Sequence, residues 1–153
     1  MPKPATAIAA AALTLSTFTG LAFAHSGATG VVRERMDLME DIADSMKQVG
    51  AMVRGKAAFD AEAVRAAADR VADHAGRMTD MFPQGSAGGA SEALPAIWED
   101  WDGFTDLAGE LETKAGALSD VAENAQGVDD IRAHFAEMGR TCAACHEDFR
   151  KAD

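Results

Sequence analysis

The sequence predicts an all-α fold, an antiparallel up-down-up-down four-helix bundle. Apolar residues recur at steps of three and four through four long stretches, which is the period of an α-helix. No stretch alternates with period two, so no sheet is predicted. Glycine and proline separate the stretches, and the connections are mostly short, which favours antiparallel neighbours in a bundle.

The first 24 residues are typical of a secretory signal. Lys3 supplies a short positive region, an uncharged alanine-rich segment follows, and Ala22-Phe23-Ala24 fits the small-x-small cleavage rule. A membrane anchor is the alternative, but the segment is mostly Ala, Thr and Ser and only weakly apolar. We therefore expect residues 1–24 to be cleaved, residues 25–153 to form the bundle, and the mature chain to reside in the periplasm.

Start and stop signals place the four helices. Asp60 is a good N-cap for the second helix, and Pro95 suits the first position of the third. Glycines at 85, 88 and 89 follow Pro83 and indicate a loop. The predicted helices run over about 28–53, 60–81, 95–125 and 129–151.

The apolar seams of the first and fourth helices carry the most information. The first seam is predicted as Val32, Met36, Met39, Ile42, Met46, Val49 and Val53. The fourth is Ile131, Phe135, Met138, Cys142, Cys145 and Phe149. Because both cysteines lie on a seam, any group that they bind must insert between helices.

The string Cys142-Ala143-Ala144-Cys145-His146 is the attachment signature of a c-type haem. The two thiols form thioether bonds to the porphyrin, and the histidine supplies an axial nitrogen. A zinc site would need two more ligands at matching spacing, and a redox disulfide of the thioredoxin type would need a βαβ unit. Neither feature is visible. The cysteines are the only two in the chain, so one covalent haem c uses both.

Topology brings one set of residues to the haem end of an antiparallel bundle. The expected pocket residues are Arg35, Met36, Leu38, Met39, Met78, Met81, Phe82, Ile97, Trp98 and Trp101. Met39 is the best candidate for the iron ligand opposite His146, and Met36 is a weaker one. Arg35 could bind a haem propionate and Arg150 should lie near the proximal side, although both could be solvated helix charges.

These motifs together resemble the class II c-type cytochromes, the cytochrome c prime and cytochrome c-556 family. The resemblance rests on Arg35-x-x-x-Met39, on Phe82-Pro83-x-Gly85 followed by Ile97-Trp98, and on Cys142-x-x-Cys145-His146-x-x-Phe149-Arg150. It implies a four-helix bundle with Cys142 and Cys145 holding the haem and His146 as proximal ligand. It also implies that a homodimer is possible.

The family has two branches. A helix-one methionine ligates the iron in the low-spin branch, which resembles electron carriers, whereas the high-spin branch leaves the iron five-coordinate and binds NO or CO. We expect a low-spin electron carrier ligated by His146 and Met39, with the high-spin form as the alternative. An enzyme is not expected, because the distal wall is apolar and lacks an acid/base pair.

The charge of the chain narrows its partners. The formal net charge is −11, and loss of Lys3 with the signal would make the mature chain one unit more negative. Nucleic acid and anionic membrane surfaces are therefore improbable partners, and no membrane insertion is expected after cleavage. The expected partner is a redox protein, which the sequence does not identify.

Overall fold

The computed structural model describes residues 27–152, and within them the predicted all-α bundle is confirmed. The helices are α1 (Gly30–Val53), α2 (Ala61–Arg77), α3 (Ala96–Glu99), α4 (Trp101–Ala122) and α5 (Val128–Phe149). A 3-10 turn, Met78–Met81, extends α2. The proposed signal peptide lies outside the described residues. No helix among residues 27–152 is long and apolar enough to cross a membrane.

Side-chain caps fix the starts of two helices. The Asp60 carboxylate accepts a hydrogen bond from the Ala63 amide at 3.0 Å, which confirms it as the N-cap of α2. At the start of α5, the Asp130 carboxylate accepts from the amides of Gln126 and Gly127 at 2.7 and 3.1 Å. Both caps satisfy amides that have no partner within the helix.

The third predicted helix is broken into α3 and α4 at Asp100. The backbone there leaves the helical region (φ −124°, ψ 62°), and the Asp100 carboxylate accepts from the Gly103 amide at 3.1 Å. A Cβ at position 103 would collide with that carboxylate. The prediction of one continuous helix was wrong here because the apolar period continues through Asp100 and does not reveal that this residue caps a new helix.

The tightest helix pair is α2 with α4. Small and branched side chains are completely buried along both helices, and alanine at many of these positions lets the backbones approach closely. The buried set is Val64, Ala67, Ala68, Val71 and Ala75 on α2, and Phe104, Ala108, Leu111, Ala115, Leu118 and Ala122 on α4.

α1 carries two apolar stripes where the sequence predicted one seam. The buried stripe is Arg35, Leu38, Ile42, Ser45, Val49, Gly50 and Met52, and α1 packs mainly on α2. The other stripe, which includes Met36, Met39 and Met46, is only half-buried and lines cavities beside α5. The predicted seam mixed members of both stripes, because a helix that faces both a partner helix and a cavity is apolar over more than one face.

The chain from Ser91 to Leu94 lies against the end of α5. Ala93 and Arg150 form an isolated antiparallel bridge. The Leu94 amide donates to the Phe149 carbonyl at 2.9 Å, and the Lys151 amide donates to the Glu92 carbonyl at 2.8 Å. Backbone pairing therefore fixes the end of the Gly-rich loop beside the helix that carries the C-x-x-C-H motif.

Candidate functional site

A cavity of about 520 Å³ opens between α1 and α5 at the end of the bundle where α5 terminates. On the α5 side it is lined by Cys145, His146, Phe149 and Arg150. On the α1 side it is lined by Val32, Arg35, Met36, Met39, Glu40, Ala43 and Lys47. Phe82, Ser91, Glu92, Ala93, Ile97 and Phe104 complete the wall. Most of the side chains that line this cavity are apolar, and charged side chains from α1, α5 and the loop also contribute.

A second cavity, of about 270 Å³, continues deeper into the bundle. It shares Met39, Ala43, Cys145 and His146 with the first. Its remaining walls are Ile42, Met46, Met78, Leu107, Ala108, Leu111, Gly139, Thr141 and Cys142. Cys145 therefore stands where the cavities meet, and Cys142 lines the deeper cavity alone, so a flat porphyrin attached to both would extend from one cavity into the other.

Cys142 and Cys145 are half-buried free thiols. Burial raises the pKa of the Cys142 thiol, and burial together with the neighbouring Cys142 raises the pKa of Cys145 to about 11. Both groups are therefore neutral thiols at physiological pH. Among residues 27–152, no group of three or more His, Cys, Asp or Glu side chains is placed to hold a metal ion.

Arg35 is a buried cation, only 5% exposed. Its Nε and Nη2 donate to the Met81 carbonyl at 3.2 and 2.9 Å, and further bonds of 2.7 and 2.8 Å run to the hydroxyls of Ser86 and Ser91. The guanidinium also lies 4.0 Å above the Phe82 ring centroid. No carboxylate pairs with it among the described ion pairs, and burial lowers its pKa. A buried charge held only by neutral groups and facing a cavity suits an anionic group in that cavity.

Three phenylalanines make an aromatic wall. Phe104, 1% exposed, meets the Phe82 ring at a centroid distance of 4.7 Å and the Phe149 ring at 5.5 Å, both edge to face. Trp98 stands behind Phe82 and donates from Nε1 to the Phe82 carbonyl at 2.9 Å. This packing supports the cavity wall from outside.

Most sequence-predicted pocket residues converge on the two cavities. Lining positions are occupied by Arg35, Met36, Met39, Met78, Phe82, Ile97, Cys142, Cys145, His146, Phe149 and Arg150. Leu38 packs instead in the buried core. Trp98 lies behind Phe82, Met81 contributes its carbonyl to Arg35, and Trp101 is 37% exposed. These four do not line the cavities because they lie on the sides of their helices that face away from the cavities.

Sequence reasoning missed several wall residues. Phe104, Leu107 and Leu111 lie on the third predicted helix one to three turns beyond the expected pocket. The apolar period of that helix could have indicated Phe104 and Leu111. Ser91 and Glu92 belong to a loop, where no periodicity marks a residue as part of a site.

The chain matches the family model described as Cytochrome C′ over residues 30–150. It is 31% identical over 143 residues to cytochrome c′ of Rhodopseudomonas palustris, covering 90% of this chain and 96% of the relative. It is 37% identical over 122 residues to cytochrome c-556 of Agrobacterium tumefaciens, covering 79% and 97%.

Solved structures give the same family. Cytochrome c′ from Rhodopseudomonas palustris superposes with a TM-score of 0.76 at 30% identity, covering 82% of this chain and 99% of that one. Cytochrome c prime from Shewanella frigidimarina gives 0.74 at 31%, covering 80% and 94%. A variant from Alcaligenes xylosoxidans, solved as its nitric oxide complex, gives 0.71 at 28%, covering 80% and 94%.

These comparisons correct the expected function. The matching family model, a curated relative and the solved structures named above all carry the name cytochrome c′, the branch for which the resemblance implies a five-coordinate iron. The expectation of a low-spin electron carrier with His146 and Met39 as axial ligands is therefore wrong. It failed because a methionine on the distal wall can be a packing residue as readily as a ligand.

The cavities fit a porphyrin by their apolar walls, paired thiols, adjacent histidine and buried cation. The matched residues cover all five helices. The chain therefore belongs to the cytochrome c′ family and carries one covalently bound haem c.

Proposed function

We propose that this chain is a high-spin, five-coordinate cytochrome c′ that binds NO or CO. The observation that carries the proposal is the cavity between α1 and α5. His146 lines it together with the apolar and thioether side chains Val32, Met36, Met39 and Ala43 of α1. When bound, the haem supplies an iron with one coordination position for a small neutral gas. The related protein from Alcaligenes xylosoxidans was solved with nitric oxide.

Cys142 and Cys145 hold the haem covalently, and His146 is the sole protein ligand of the iron. The spacing of three places both thiols on one side of an α5 turn, and His146 follows directly. Because α5 is regular through all three residues, the backbone fixes the direction in which the His146 side chain leaves the helix.

Arg35 binds a propionate of the haem. Its guanidinium is buried, points towards the cavity wall, and is held by the Met81 carbonyl and two serine hydroxyls. Burial of a cation without a counter-ion is costly, and a carboxylate from the cofactor would offset that cost. The bonds to the loop keep the guanidinium in place before the carboxylate arrives.

Met39 and Met36 form the distal wall and do not ligate. Met39 lies in the wall shared by both cavities, with Ala43 one turn further along α1. Apolar side chains there exclude water, so a neutral diatomic ligand is favoured over polar or charged ones. Met36, Met39 and Ala43 offer no general acid or base, which supports a binding protein over an enzyme; Glu40 and Lys47 also line this cavity from α1.

The setting of this function is also a proposal. The secretory signal at residues 1–24 supports export to the periplasm, where such haems are attached. The net charge of −11 argues against nucleic acid as a partner. We propose a redox protein as the partner that supplies electrons to the haem iron. The family resemblance supports a homodimer.

The spin state tests the proposal directly. We expect the periplasmically matured protein to show a broad high-spin absorption spectrum in both oxidation states. A Met39→Ala variant should show the same spectrum, because no ligand is lost. A sharp low-spin spectrum that turns high-spin only in Met39→Ala would refute the five-coordinate assignment.

A further inference from the structure

We propose that Glu92 is a positioning residue for the proximal side of the haem site, acting through Arg150. This inference rests on the proposed haem function and adds a determinant that the C-x-x-C-H motif does not contain. The Glu92 carboxylate accepts a hydrogen bond from Arg150 Nε at 2.8 Å in an ion pair. Both residues line the larger cavity with His146.

The position of Arg150 makes its charge relevant to the iron. It follows His146 by four residues, and its amide donates to the His146 carbonyl at 3.2 Å. Residues four apart lie on the same helix face, so the guanidinium belongs to the side of the site that carries the proximal imidazole. A cation there favours the reduced iron, since it opposes the extra positive charge of the oxidised state.

The end of α5 fixes the backbone of Arg150 but does not by itself choose the rotamer of its side chain. Arg150 is the residue at which α5 ends, with φ −117° and ψ 142°, and its side chain is 36% exposed. A long arginine at a helix end has many rotamers, and some would carry the charge across the cavity mouth. The ion pair with Glu92 favours the Arg150 rotamer in which the guanidinium points to the loop. The Glu92 carboxylate also partly compensates the positive charge of Arg150.

Backbone hydrogen bonds hold the loop that carries Glu92 close to Arg150. Glu92 is fixed by its carbonyl, which accepts from the Lys151 amide at 2.8 Å, and the adjoining bridge joins Ala93 to Arg150. Its neighbour Ser91 accepts from Arg35 Nη1 at 2.8 Å and from Lys151 Nζ at 2.8 Å. The carboxylate is thus presented to Arg150 by a segment anchored to both α1 and the end of α5. Because the loop backbone at Glu92 is already held, less ordering is needed on the Glu92 side than for an ion pair between two unconstrained segments.

The test is the reduction potential of the holoprotein in four forms: wild type, Glu92→Gln, Arg150→Gln and the double variant. We expect Glu92→Gln to raise the ratio of reduced to oxidised protein at a fixed potential by about two- to fivefold, the scale of a partly exposed charge pair. In the Arg150→Gln background the same substitution should change the ratio by less than half as much on a logarithmic scale, because the residue acts through Arg150.

Glu123→Gln is the matched control. It removes the same charge from the exposed C-cap of α4, at the opposite end of the bundle, and should leave the ratio unchanged. Equal effects of Glu92→Gln in both backgrounds, or no effect in either, would overturn the proposal. A low-spin wild-type spectrum would instead overturn the proposed function, and the two failures are therefore distinguishable. Thermal melting of each variant establishes that the fold is intact.

Discussion

The α2–α4 pair and the α1–α5 pair are built from similar apolar periods but pack in opposite ways. Between α2 and α4 the interface is closed, with Val64, Ala115 and Leu118 fully buried. α1 and α5 approach each other at few positions, and cavities of about 520 and 270 Å³ lie beside them. The apolar, thioether and thiol lining of these cavities fits a porphyrin, so we expect the haem to complete the second interface.

The residues at the two interfaces differ in kind. The closed pair uses alanine, valine and leucine, which fill space with few rotamers. The open pair uses methionines, two thiols, a histidine and rim charges, which adapt to or bind a group. Periodicity marks both as apolar, and only the side-chain chemistry distinguishes packing from binding.

The largest expected effect removes the covalent attachment at the open interface. In Cys142→Ser/Cys145→Ser the haem has no thioether bonds, and acid-acetone extraction should release all of it, whereas the wild type should release none. The absorbance of the extracted organic phase measures the result. Wild-type haem that extracts freely would show that the motif does not form thioethers.

A matched pair of alanine substitutions sharpens the comparison between the interfaces. Ala115→Leu, at a fully buried position of α4, should destabilise the holoprotein by about 1–3 kcal/mol in urea unfolding and leave the visible spectrum unchanged. Ala43→Leu, in the wall shared by both cavities, should lower the yield of haem-loaded protein and alter its spectrum.

The opposite result would contradict this distinction. If Ala43→Leu only lowered the stability and Ala115→Leu changed the spectrum, the cavities between α1 and α5 would not be the haem site.

A substitution at Arg35 tests whether residues at the rim of the α1–α5 cavity also contribute to the free energy of unfolding. Arg35→Met leaves the Met81 carbonyl without its buried donor, and we expect a loss of about 1–3 kcal/mol in the free energy of unfolding. Arg33→Met is the control, because Arg33 lies on the same helix and forms an exposed ion pair with Asp37 at 2.7 Å, which water screens. Equal losses in the two variants would show that the Arg35 bonds contribute nothing specific.

The smallest effect concerns the thiols before haem attachment. The pKa of Cys145 in the folded chain is raised to about 11, above the ordinary value of 9.0, so the folded state holds this proton more tightly than the unfolded state. Stability from this group is complete below pH 9 and is lost as the pH rises towards 11. Urea unfolding of the haem-free chain at pH 8 and pH 10.5 measures the loss.

The control for the thiol effect is Cys145→Ala. It should lose less stability than the wild type over the same pH interval. An identical loss in both chains would mean that the thiol is not desolvated in the folded state.

The sequence predicted the helical fold and the haem better than the rim of the cavity. Helical period and caps placed the four helices, and C-x-x-C-H identified the haem because its chemistry requires that local spacing. The break at Asp100 and the role of Glu92 were missed, because one depends on a cap inside a periodic stretch and the other on a loop meeting the end of α5. The ligation of Met39 was wrongly inferred, since a seam position does not distinguish a thioether that packs from one that coordinates.

CO titration of the reduced holoprotein tests the central claim most directly. A five-coordinate iron beside the apolar wall of α1 predicts that one equivalent of CO binds per haem and shifts the Soret band, with no need to displace a protein ligand. A reduced protein whose spectrum is unchanged by CO would contradict the account, because it would mean that the sixth position is already filled.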